Sequence, residues 1–158
     1  MYHLTEAYLM MLLLTLLSAY LGALIFAAAV VAPAAIRLLS VENAARLLRA
    51  FWATYHRFAV IGALTLTAIG TLAAPFSALP AIYAVLLTSL GALMTLCFFT
   101  GLQLIPRINQ ASDNQDLARF QTLHRLDIIL VATGMVIGLL LIIALGYVLP
   151  GHFTFWQH

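Results

Sequence analysis

Residues 7–36 read AYLMMLLLTLLSAYLGALIFAAAVVAPAAI, thirty positions without an acid, a lysine or an arginine. A helix that crosses the hydrocarbon core of a bilayer needs about 20 apolar residues, so this run holds one span. It is too long for a signal-peptide core of about 7–15 residues, and the segment ahead of it carries Glu6 and no basic residue. A retained span is therefore expected. Two further charge-free runs follow. Residues 58–106 are interrupted by APFSALP at 74–80 and hold two spans, and residues 128–158 hold one. The expectation is four transmembrane helices, near 8–34, 54–74, 80–105 and 126–149.

Composition agrees with that solvent. Of the 158 residues, 65% are hydrophobic and 8% are charged, against about 25% charged in soluble domains. The predicted fold class is an all-α, integral membrane four-helix bundle. It is a single domain over 1–158, built from two helical hairpins with short cytoplasmic amphipathic helices.

The charges are few but ordered. There is no lysine, and the seven arginines (Arg37, Arg46, Arg49, Arg57, Arg107, Arg119 and Arg125) fall between spans 1 and 2 and between spans 3 and 4. Cytoplasmic loops collect basic residues. Both arginine-bearing segments are thus expected in the cytoplasm and both termini in the periplasm, in a bacterial inner membrane or, alternatively, an organelle. The net charge of +2 follows from topology, and no nucleic-acid partner is needed. The expected role of the arginines is at the lipid interface, where a long cationic side chain reaches headgroup phosphates.

Each predicted hairpin follows one order. A proline precedes an arginine in VVAPAAIR (30–37) and in LQLIPRIN (102–109), which predicts a helix stop at the inner interface. An amphipathic stretch comes next. In SVENAARLLRAFWATYHRF (40–58) Ser40 is a candidate N-cap, and Glu42 with Arg46 is a favourable i,i+4 pair. Val41, Ala44, Leu48, Phe51 and Tyr55 recur at helical spacing. In SDNQDLARFQTLHRL (112–126) Ser112 or Asp113 is the candidate cap, ahead of an apolar face of Leu117, Phe120 and Leu123 or His124. Then comes a shared boundary, ATYHRFAVI at 53–61 and QTLHRLDII at 121–129. A glycine follows each histidine by fourteen residues, Gly70 and Gly138. The match suggests parallel repeats about an axis along the membrane normal, or chance likeness between two helical hairpins.

The candidate chemistry lies at that boundary. If the hairpins insert alike, His56 and His124 sit at one depth, where two imidazoles could ligate a b-type haem or a metal ion or serve as interface anchors. An acid at the edge of a span is a default functional candidate. Asp127 shares a helix face with His124, and could orient its imidazole, relay protons, or pair with Arg57. Met94 and Cys97, with Met10, Met11 and Met135 in other spans, are soft donors suited to Cu(I) or ordinary packing. His3, His152 and His158 could meet at the outer face, beside an aromatic belt of Phe153, Phe155 and Trp156. Gly134 and Gly138 form a G-x-x-x-G pattern that permits close helix approach, within the bundle or in a homodimer. There is no P-loop, nucleophile elbow or H-E-x-x-H.

Two stretches, GALIFAAAVVAPAAIRLLSVENAARLLRAFWATYHRF and LIPRINQASDNQDLARFQTLHRLDIIL, resemble the transmembrane protein 205-like family, four-span proteins built on a domain of unknown function. The features that carry the resemblance are Gly22, Phe26 and Pro33, the Ala-Arg run and aromatic pair after them, PRI at 106–108, and F-x-x-L-H-R at 120–125. Asp127 and Val131 stand where the family usually has a serine and an asparagine. The resemblance implies a multi-pass membrane protein without an assigned reaction, and the association of a eukaryotic relative with platinum-drug resistance points to export or trafficking. The expected function is a non-enzymatic, transport-related or accessory subunit embedded in the lipid bilayer, as a homo-oligomer or a subunit of a membrane complex. The alternative is a haem- or metal-binding protein for electron transfer or oxidoreduction, using His56 and His124 with Asp127.

Overall fold

The first apolar run forms a helical rod made of α1 (Tyr2–Phe26), a π-helical turn (Ala27–Val31) and α2 (Ala32–Leu38). The computed structural model describes residues 2–73 and 81–153. The segment APFSALP, the side chains of His3, His152 and Phe153, and Phe155, Trp156 and His158 lie outside the described residues. The remaining elements are α3 (Val41–Ala73), α4 (Ala81–Asp113) and α5 (Leu117–Phe153), so every described element is helical.

Pro33 does not end the first helix. A proline has no N–H to donate, and its ring collides with the carbonyl four residues back. The backbone answers by widening just before it. The Ala32 N–H returns to the Ala27 carbonyl, one residue further back than in an α-helix, and the rod resumes through Leu38. Such π turns cluster at functional sites, and this one lies in the wall of the cleft described below. Leu39 then turns extended, and Ser40 caps α3, accepting from the Asn43 N–H at 3.4 Å. Glu42 pairs with Arg46 at 3.0 Å.

The second proline also fails as a stop. Pro106 is exposed within α4, which continues to Asp113. Proline forfeits one backbone bond there, and the helix resumes beyond it. The expected short helix capped by Ser112 or Asp113 is corrected accordingly, because those residues are the last turn of α4. The chain reverses through Gln115, at φ 56°. The Asp116 N–H reaches the Ala111 carbonyl, and the Gln115 N–H reaches that of Ser112. This paired return is a Schellman termination. Asp116 then caps α5 itself, accepting from the Arg119 N–H at 3.1 Å.

Packing joins α3 to α4, α4 to α5 and α5 to α1, while α1 touches α3 only lightly. The close helix pairs are thus α3–α4 and α4–α5, rather than two equivalent hairpins. The light contact is specific, since the Tyr20 hydroxyl donates to the Ala59 carbonyl. The core draws on Leu17, Leu21 and Leu24 of α1, Ala59 and Ala63 of α3, Met94 and Phe98 of α4, and Leu141 of α5. The outside is as apolar as the inside. Leu12, Leu16, Ile61, Leu64, Leu96 and Ile143 are all exposed, a surface that water does not support.

Among the described residues, three helical stretches are long and apolar enough to cross a membrane, Met11–Leu38, Ala84–Asp113 and Leu117–Tyr147. The stretch expected as a span at 54–74 falls, over its described residues 54–73, on α3, which is not among them. Its first half carries Glu42, Arg46, Arg49 and Arg57, and its second half is diluted by Thr65, Thr67 and Thr71. Those three hydroxyls donate to carbonyls one turn back, at Ile61, Ala63 and Thr67.

Candidate functional site

A buried ionisable couple lies toward the arginine-bearing end of the bundle. His56 of α3 is fully buried, and the Asp127 side chain of α5 is 7% exposed. His56 Nε2 stands 3.1 Å from Asp127 Oδ1. The distance is that of an ion pair, yet the ring N–H is not aimed at the oxygen. Both imidazole nitrogens and Oδ1 are sealed from solvent without a hydrogen-bond partner. Native interiors rarely leave such groups unsatisfied, because each costs a desolvation penalty.

Three helices build the couple. On α3, Tyr55 stands edge-on to the imidazole, ring centroids 5.4 Å apart. On α4, Gly101 removes any side chain opposite it. A Cβ there would lie 2.5 Å from His56 Cε1 and 3.0 Å from Asp127 Oδ1, so the α4 backbone itself closes the site. On α5, Asp127 occupies an inward position just ahead of the apolar run that begins at 128.

Asp127 is also exposed to a second environment. It lines a half-open cleft of about 590 Å³ bounded by the π turn and α2, the start of α3, the end of α4 and the start of α5. The space exists because Ala28, Ala32, Ala45 and Ala132 are small where the rod stands away from α3. Trp52, Phe120 and His124 add aromatic surface, and Arg49 adds a cation. That cation is engaged, because the Arg49 guanidinium donates to the Asp113 carboxylate across α3 and α4. The polar groups are few and the walls mostly apolar, which is the usual make-up of a small-molecule site.

The two histidines have different surroundings. His124 is half-buried at the cleft, stacked on Phe120 with ring centroids 5.6 Å apart, whereas His56 is fully buried beside Asp127. Asp127 pairs with neither His124 nor Arg57, the partners expected from sequence, and Arg57 is exposed. Helical spacing identified the face but not the register between helices. The His56 nitrogens abut Asp127 and the α4 backbone at Gly101. Among the described residues no three His, Cys, Asp or Glu side chains come together to hold a metal ion.

The other candidates are placed as follows. Met94 and Cys97 are both buried in the main core cluster. Gly134 and Gly138 are buried too, one against the Phe98 ring and the other against Leu21. Arg37, Arg46, Arg107, Arg119 and Arg125 are exposed. Gly101 was not singled out from sequence, and Trp52 only as one of the aromatic pair that carries the family resemblance. A lone glycine in FFTGLQLIP names no partner, and one aromatic of the Phe51–Trp52 pair looks like any other interface residue.

No family model matches this chain, and neither the curated proteins nor the solved structures compared with it yield a match.

Proposed function

We propose that the protein is a four-span inner-membrane module of the transport-related or accessory kind, without an enzymatic reaction of its own, working as a homo-oligomer or within a membrane complex. The observation that carries this reading is the half-open cleft with a carboxylate in its wall, in a bundle whose exterior is apolar. A binding recess of this kind suits recognition.

In this reading α3 is the fourth span. Its threonine hydroxyls are already bonded to backbone, which lowers the cost of carrying them into lipid. The arginine-bearing end faces the cytoplasm, with Arg37, Arg57, Arg107, Arg119 and Arg125 at the headgroups, and both termini are periplasmic. The resemblance to the transmembrane protein 205-like family belongs to the same proposal, resting on the motifs at 22–58 and 104–130.

The competing reading is a cofactor protein, and one feature favours it, the unsatisfied nitrogens of His56. Expression with haem precursor and transition metals supplied in excess, followed by a visible spectrum and metal analysis of the detergent-purified protein, separates the two. A folded, colourless preparation without stoichiometric metal is expected. A haem band that disappears in His56→Ala and His124→Ala would overturn the module reading.

A further inference from the structure

The cleft combines an acid, aromatic faces and an apolar wall, and these select a ligand by charge as well as by shape. We propose that it is a binding site for a protonated amine with an apolar body, with Asp127 as the counter-charge. The inference rests on the module reading above, and adds the chemical class of what that module recognises.

Charge complementarity sets the sign. Two charged side chains line the cleft, Arg49 and Asp127. Arg49 stands at the exposed rim and is already paired with Asp113. The Asp127 carboxylate is at the buried end, and its Oδ1 lacks any hydrogen-bond donor. An anion entering the cleft meets an already paired cation first and a carboxylate oxygen without a donor last. An ammonium meets the reverse, and supplies the donor that Oδ1 lacks.

The head must carry N–H groups. Asp127 Oδ1 and His56 Nε2 stand 3.1 Å apart, and neither has a hydrogen-bond partner. A small shift of the carboxylate toward the cleft lets an ammonium donate to it, whereas a quaternary ammonium has no proton to offer. Trp52 and Phe120 supply π faces for the cation or for an aromatic body. Ala28, Ala32, Val131 and Met135 receive the apolar remainder.

The test uses the full chain in lipid nanodiscs. The protein has two tryptophans, Trp52 and Trp156, so Trp156→Phe leaves the cleft residue as the sole reporter. The probe is 4-phenylbutylamine, compared with 4-phenylbutanol and 4-phenylbutyrate. Saturable change in Trp52 emission is expected with the amine. The alcohol and the carboxylate should bind weaker by about tenfold or more, the scale of one hydrogen bond to a charged group. Asp127→Asn should weaken the amine to the level of the alcohol.

Should Asp127→Asn fail to fold, Ala28→Phe fills the cleft and leaves the couple intact, and it should abolish saturation. Equal binding of amine and alcohol would overturn the proposal, as would tighter binding of the carboxylate or an amine affinity unchanged in either variant. The two readings fail separately. A correctly inserted four-span protein that ignores the amine loses only this inference, whereas a chain that does not span four times loses the module reading.

Discussion

Replacing His56 with leucine is expected to destabilise the folded protein by about 1–3 kcal/mol, the usual penalty for a buried polar group left without its neighbour. Leucine restores much of the ring's volume, so lost packing is a minor part. The main loss is electrostatic. Asp127 stays in its sealed position, 7% exposed, with neither the imidazole beside it nor a donor to replace it. Reversible unfolding in mixed micelles reads the change. The double variant His56→Leu with Asp127→Leu should regain most of that stability, because no buried charge is left unpaired. A double variant as unstable as the single one would show that the imidazole acts through its shape and that the pairing contributes nothing.

Gly101→Ala is expected to cost about 1–3 kcal/mol, the range for overpacking a close-packed interior. The added carbon would stand 2.5 Å from His56 Cε1 and 2.9 Å from Nδ1. The ring cannot retreat, being held between Tyr55 and Asp127. Gly22→Ala supplies the contrast. Nothing lies within 4 Å of a Cβ at that position, and alanine is favoured over glycine in a helix by up to about 1 kcal/mol. That variant should be as stable as the parent or slightly more so. Equal losses at the two positions would mean that the effect belongs to helical glycines in general and not to the approach of α4 to the couple.

The sequence made the helical class legible, because charge-free runs of such length leave few alternatives. Local chemistry was legible too, in Ser40 as a cap and in the Glu42–Arg46 pair, since each depends on spacing within one helix. The prolines misled for a physical reason. A proline removes one bond, and whether the helix ends there depends on what the surrounding backbone can do. At Pro33 it widens into a π turn, and at Pro106 it continues.

The site was legible in its members and not in its pairing. His56 and Asp127 stood out as polar residues at the lip of apolar runs. Their meeting depends on the register of α3 against α5, which spacing within one helix does not give, and α4 approaches both closely at Gly101. The matching T-x-H-R boundaries hid the difference. His56 faces inward to the acid, and His124 lies over Phe120 in the cleft. The cleft itself has no motif, because it arises from small residues on four separate segments.

The placement of the couple at membrane depth depends on α3 crossing the bilayer, and a topology reporter fused after Ser77 tests this most directly. In a four-span protein with its arginines in the cytoplasm, the segment following α3 is periplasmic. Alkaline phosphatase fused there should be active, and green fluorescent protein fused at the same point should be dark. An inactive phosphatase with a fluorescent fusion at Ser77 would place both ends of α3 in the cytoplasm and contradict the account.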